Sequence, residues 1–98
     1  MIAIHLHPAA RRELHRAVDW YIQEASKQIA AGLLEDFEHL LSMIRNHPKI
    51  GAAGNNGVRK LTFKRYPYTL VYRLNGENAE ILACAHYNRY PEYWTGRL

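Results

Sequence analysis

The chain has 98 residues, 48% hydrophobic and 22% charged, a balance that supports one modest core and excludes the charge-rich, apolar-poor compositions that stay disordered. A formal net charge of +4 points to a polyanion or an acidic protein as partner, because net charge governs association rather than fold. No apolar run approaches the roughly 20 residues that cross a bilayer, and Met1-Ile2-Ala3-Ile4-His5 lacks the basic and then apolar regions of a secretory signal, so a cytoplasmic chain is expected.

Residues Ile2 to Leu6 alternate apolar and polar, which predicts a short strand. Pro8 sits where a helix start needs no backbone N–H, and Ala10, Leu14, Ala17, Val18 and Tyr21 recur at helical spacing to about Ala25. Arg12, Glu13, Arg16 and Asp19 are read onto the opposite face. A second helical pattern, Ile29, Leu33, Phe37, Leu40, Leu41 and Ile44, follows the polar stretch Glu24 to Gln28 and ends before Pro48. The short link favours an antiparallel helical hairpin.

Gly51 to Gly57 is rich in turn formers and reads as a flexible connector. It lacks the Gly-Lys-Ser/Thr ending of a phosphate loop. Val58 to Lys64, Tyr68 to Leu74 and Ala79 to His86 are then rich in β-branched, aromatic and aliphatic residues, with turns at Tyr66-Pro67 and Asn75-Gly76. The expected fold is α+β in the order β-α-α-β-β-β. An N-terminal helical hairpin packs on one face of a small, mainly antiparallel sheet, which the first strand joins, and the other face stays partly open. The tail from Tyr87 to Leu98 is assigned to the same domain, which spans 1–98.

Cations and aromatics concentrate in the second half: Arg59, Lys60, Lys64, Arg65, Tyr66, Tyr68, Tyr72 and Arg73, then His86, Tyr87, Arg89, Tyr90, Tyr93, Trp94 and Arg97. Guanidinium groups grip phosphates or carboxylates in bidentate fashion, and aromatic rings stack on bases or anchor a protein interface. Tyr68, Tyr72 and Trp94 weigh toward ordinary core aromatics, whereas Arg65, Arg73 and Arg89 need a partner or solvent. His86, ending the last strand beside Arg89, is the best candidate for proton transfer, set against a structural histidine bonded within the turn. His5 and His7 share one side of a strand without a third ligand, so no metal and no cofactor is expected. Cys84, the lone cysteine, lies in the run Ile81-Leu82-Ala83-Cys84-Ala85 and reads as a small buried hydrophobe.

Taken together, His7-Pro8-Ala9-Ala10 with Leu14 and Asp19-Trp20-Tyr21, then Asn46-His47-Pro48 and Gly51, resemble the start and middle of ParE-type plasmid-stabilisation toxins. Val58-Arg59-Lys60-Leu61, Phe63, Arg65-Tyr66-Pro67-Tyr68 and Leu70-Val71-Tyr72-Arg73 continue the likeness. Ala85-His86, Arg89, Pro91, Tyr93-Trp94 and Arg97 extend it over nearly the whole chain. The resemblance, to the ParE branch of the ParE/RelE superfamily, implies the toxin of a bacterial type II toxin–antitoxin pair. It further implies an acidic, ParD-like antitoxin, a toxin–antitoxin heteromer and growth arrest when the antitoxin is lost. Members resembling ParE poison DNA gyrase and need only a binding surface, for which Arg59, Lys60, Lys64, Arg65, Arg89, Tyr90 and Trp94 are the candidates. Members resembling RelE cut messenger RNA on the ribosome. In that case His86 would move protons, Arg65 and Arg73 would stabilise charge on the phosphate, and Tyr87 would complete the site. A non-toxic antitoxin-binding module is the third possibility.

Overall fold

A computed structural model describes residues 2–98. In chain order these form β1 (Ala3–Leu6), α1 (Pro8–Glu24), α2 (Lys27–Asn46), β2 (Ala52–Ala53), β3 (Val58–Thr62), β4 (Tyr68–Asn75) and β5 (Asn78–His86), with 3₁₀ turns at Asn55–Gly57 and Tyr93–Arg97. Pro8 occupies the first turn of α1, and His7 caps it by accepting the Ala9 N–H on Nδ1 at 3.0 Å. Ser26 caps α2, its Oγ accepting the Ile29 N–H at 3.1 Å. Each cap satisfies a backbone donor that has no partner within its helix.

The two helices lie on one face of a five-stranded sheet of order β1-β5-β4-β3-β2. There Ala10, Leu14 and Ala17 of α1 and Leu33, Phe37, Leu40, Leu41 and Ile44 of α2 share a core with Leu70, Tyr72, Ile81 and Cys84 of the sheet. The first strand joins parallel to β5, pairing Ile4 with Ala79 and Leu6 with Ile81, while the remaining pairs are antiparallel. These features match the expected fold class, helical hairpin and N-terminal strand.

One expectation needs correction. The segment Gly51 to Gly57 is not simply a connector: Ala52 and Ala53 pair with Lys60 and Arg59 as β2. Its entry is pinned by Tyr72, whose hydroxyl donates to the Pro48 carbonyl at 2.7 Å and accepts the Gly51 N–H at 2.9 Å. A Cβ at Gly51 would lie 2.8 Å from the Tyr72 ring and 3.0 Å from the Lys60 carbonyl oxygen, so this close approach requires glycine.

The far face of the sheet, expected to stay partly open, is covered by the tail over Val58, Val71, Leu82 and Ala83, while Lys60 and Thr62 on the same face remain exposed. Trp94 is 2% exposed and packs with Val58, Val71, Leu82 and Ala83 in a second core. The register of β4 and β5 slips between Val71 and Tyr72, because Val71 opposes Ala83 while Tyr72 opposes Ile81. Leu82 is therefore the extra residue of a bulge. The bulge turns both Leu82 and Ala83 toward the tail, and the usual alternation of faces resumes with Cys84.

Candidate functional site

The C-terminal end of β5 carries His86 out of the sheet opposite Tyr68, and the ring of Tyr68 meets the imidazole edge-on at 5.1 Å. The chain then turns, with the Asn88 N–H donating to His86 Nδ1 at 3.0 Å and the Arg89 N–H to the His86 carbonyl at 3.1 Å. A neutral imidazole that accepts on Nδ1 carries its proton on Nε2. His86 thus presents a donor rather than a free base. Tyr90, on the tip of this turn, is 84% exposed.

Glu13 of α1 holds the tail to the body of the domain. Its side chain is 9% exposed, and its Oε1 accepts the Arg97 guanidinium at 2.9 Å and the Cys84 backbone N–H at 3.1 Å. Oε2 accepts a second Arg97 N–H at 3.1 Å and the Tyr93 hydroxyl. Arg97 also donates to the Leu82 carbonyl at 2.9 Å. The sheet's topology explains why. β1 ends opposite Ile81, so the β5 edge beyond that point lacks a strand partner, and Glu13 and Arg97 supply the missing acceptor and donor. Burial and the hydrogen bond to Glu13 push the Tyr93 phenol well above its usual range. The Glu13 bond raises the Arg97 guanidinium further. Burial likewise pushes the Cys84 thiol up to about 12, in keeping with a packed, unreactive sulfur.

By sequence Glu13 falls on the polar face of α1, with no role assigned to it. At 100° per residue it lies only about 40° from Ala17, on the margin of the apolar stripe. That margin was the one signal available in the sequence.

The proposed nuclease residues are dispersed. Arg73 opposes Glu80 and reaches its carboxylate at 3.4 Å, while His86 opposes Tyr68. Those two positions are five residue steps apart on β4, about 17 Å at 3.4 Å per residue. Arg65 lies over α2, donating to Asp36 at 2.8 Å and to the Gly32 carbonyl at 3.4 Å. This hydrogen bond with Arg65 holds the Asp36 carboxyl below its usual range. Tyr87 is exposed next to His86. Only His86 and Tyr87 of the four are neighbours.

Among the surface candidates, Arg59 is committed internally, donating to the Lys49 and Gly51 carbonyls at 3.0 and 2.8 Å. Trp94 is a core residue, because the uncovered far face of the sheet offers its indole an apolar bed. Lys60 lies 5.9 Å from the centre of that ring on the outer side, and Lys64 is exposed. Arg89 is stacked on the Tyr93 ring at 4.0 Å, with Glu13 Oε2 at 3.8 Å.

His86 and Arg89 line two clefts, one on each side of the sheet's end. The larger, about 470 Å³, opens beside α1 between Arg16, Trp20 and Tyr21 and the Pro67, Tyr68 and Cys84 side. The smaller, about 300 Å³, lies on the tail side with Lys60, Tyr87, Tyr90 and Trp94. Both combine cations with aromatic surface, the composition of an anion-binding or protein-docking face.

A family profile described as the ParE toxin of type II toxin–antitoxin system, parDE, matches residues 4–89. Among solved structures, a chain of the chromosomal ParDE toxin–antitoxin system from P. aeruginosa is similar at a TM-score of 0.76 and 21% identity, over 88% of this chain and 96% of that one. Comparison with curated protein sequences yields no match.

Proposed function

This chain belongs to the ParE toxin family of type II toxin–antitoxin systems, and from that premise we propose that it arrests growth by poisoning DNA gyrase and is neutralised by a cognate acidic antitoxin. The family match over residues 4–89 carries the reading, since ParE-like toxins act on gyrase. The dispersal of His86, Arg65 and Arg73 supports it over messenger RNA cleavage: a binding poison needs a surface, whereas phosphodiester cleavage needs its groups gathered on one phosphate. Arg89 and Tyr90 on the turn after β5, with Lys60 and Lys64, form the exposed part of that surface. Arg65 contributes from the α2 side.

Titrating purified, antitoxin-free protein into a gyrase supercoiling reaction tests this. The expected result is loss of supercoiling with accumulation of cleaved DNA, weakened at least tenfold by Arg89→Ala with Tyr90→Ala. No effect at large excess of toxin over gyrase overturns it.

A further inference from the structure

The cleft beside α1 has chemistry that the gyrase reading does not use. Arg16 lines it and makes no hydrogen bond or ion pair among the described residues. The Trp20 indole on its rim is 56% exposed, and its aromatic neighbour Tyr21 meets it edge-on at 5.0 Å. Among the described residues no parallel-stacked ring covers it. Across the cleft, Arg89 is already ordered by its stack on Tyr93, so it loses little freedom on binding an anion. His86 adds a donor at Nε2. Glu13, the acid in the lining, accepts its hydrogen bonds from Arg97, Tyr93 and the Cys84 N–H and reaches Arg89 only at 3.8 Å.

Arg16, which has no acid partner among the described residues, and Arg89, which shares the Glu13 carboxylate with Arg97 at a looser 3.8 Å, form with the donor histidine a site for a hydrogen-bonded oxyanion. An exposed indole beside them provides a platform for a flat ring. Phosphate and base occur together in a nucleotide, whereas an acidic peptide would use the cations and leave the indole without a matched partner. The cleft's extent agrees. From Glu13 to Tyr21 it follows α1 for about 12 Å at 1.5 Å per residue, enough for a short strand of nucleotides and too short for a helix lying along three or more turns.

We propose that this cleft binds a short segment of single-stranded nucleic acid, with Arg16 and Arg89 on a backbone phosphate and Trp20 stacked on a base. Binding at this site requires no gyrase, so its test and that of the gyrase reading fail independently.

The test measures anisotropy of fluorescein-labelled dT12 and rU12 with the full chain at two salt concentrations, and of a labelled decaglutamate peptide as the competing chemistry. Arg16→Ala and Trp20→Ala are each expected to weaken oligonucleotide binding at least tenfold, and Trp20→Phe to restore most of it. Arg16→Ala should also flatten the salt dependence by about one counterion. Arg12→Ala removes the same charge from an exposed position outside the cleft and should leave affinity within about twofold. Equal affinity for dT12 and rU12 would identify the shared phosphate and base as the ligand, and a preference for one would name the strand. An Arg12→Ala loss as large as that of Arg16→Ala, or decaglutamate binding through Arg16 without oligonucleotide binding, overturns the proposal.

Discussion

At the level of single residues, Glu13 shows how a charge can be buried without being orphaned. Four donors meet its two oxygens, from Arg97, Tyr93 and the Cys84 backbone. Removing one partner of a buried pair leaves the other uncompensated, which costs about 3–5 kcal/mol, whereas replacing both by apolar groups of similar volume is close to neutral. Arg97 is partly exposed, at 18% of its side chain, and that solvent contact favours the lower end of the range. Glu13→Gln is therefore expected to lower stability by about 3 kcal/mol, read from the urea midpoint at an unchanged slope. A double-mutant cycle of Glu13→Leu, Arg97→Met and the pair should show favourable coupling, with the pair still below the parent because the Cys84 N–H, Tyr93 hydroxyl and Leu82 carbonyl lose their partners. Strictly additive losses, with Glu13→Gln below about 1 kcal/mol, would show that the carboxylate contributes no more than surface charge.

Among the elements, the helices and main strands were legible because each carries an apolar pattern of its own period. Leu14, Ala17 and Tyr21 repeat as one stripe of α1, and Leu70 and Tyr72 alternate on one face of β4. β2 was not legible. Two alanines hold no pattern, and their place is set by long-range contacts of Tyr72 and Arg59. The tail was legible in part: Trp94 reads as a core aromatic and is one, but the same residue also stands among the surface candidates, because only the assembled sheet shows the face that buries it. The site was legible to the same extent. His86 and Arg89 do sit together at the strand end, but Arg16, Trp20 and Glu13 join them from a helix some seventy residues away in the chain, a distance the sequence gives no way to close. Because the tail fills a second core, Trp94→Ala should cost about 3–5 kcal/mol, the usual loss for deleting a buried indole. A chain truncated after Arg89 should fare worse, since it also strips Arg97 and Tyr93 from Glu13 and bares Val58, Val71 and Leu82. Denaturant titration checks both, and a Trp94→Ala loss below about 1 kcal/mol would mean that the tail lies on the sheet without packing against it.

For the whole molecule, the layers are helices, sheet and tail, and the contacts that join them determine whether they unfold together. The helices share one core with the sheet, and the tail shares another on the opposite face. Glu13 links the two outer layers directly, because it is rooted in α1 and holds Arg97 and Tyr93 of the tail around the end of β5. A chain cross-tied in this way should unfold in one cooperative step. The two tryptophans make the test direct. Trp20 is largely exposed on α1 and Trp94 is buried beneath the tail, so in Trp20→Phe the emission reports the tail alone while far-UV circular dichroism reports mostly the helices. Their thermal midpoints should coincide. With Glu13→Gln added, the direct tie is lost and the Trp94 transition should move several degrees below the helical one, as expected of a locally unfolding unit. If the midpoints already differ in Trp20→Phe, the tail is a separate layer that Glu13 does not couple to the helices. If they still coincide after Glu13→Gln, the shared sheet alone is enough to couple them.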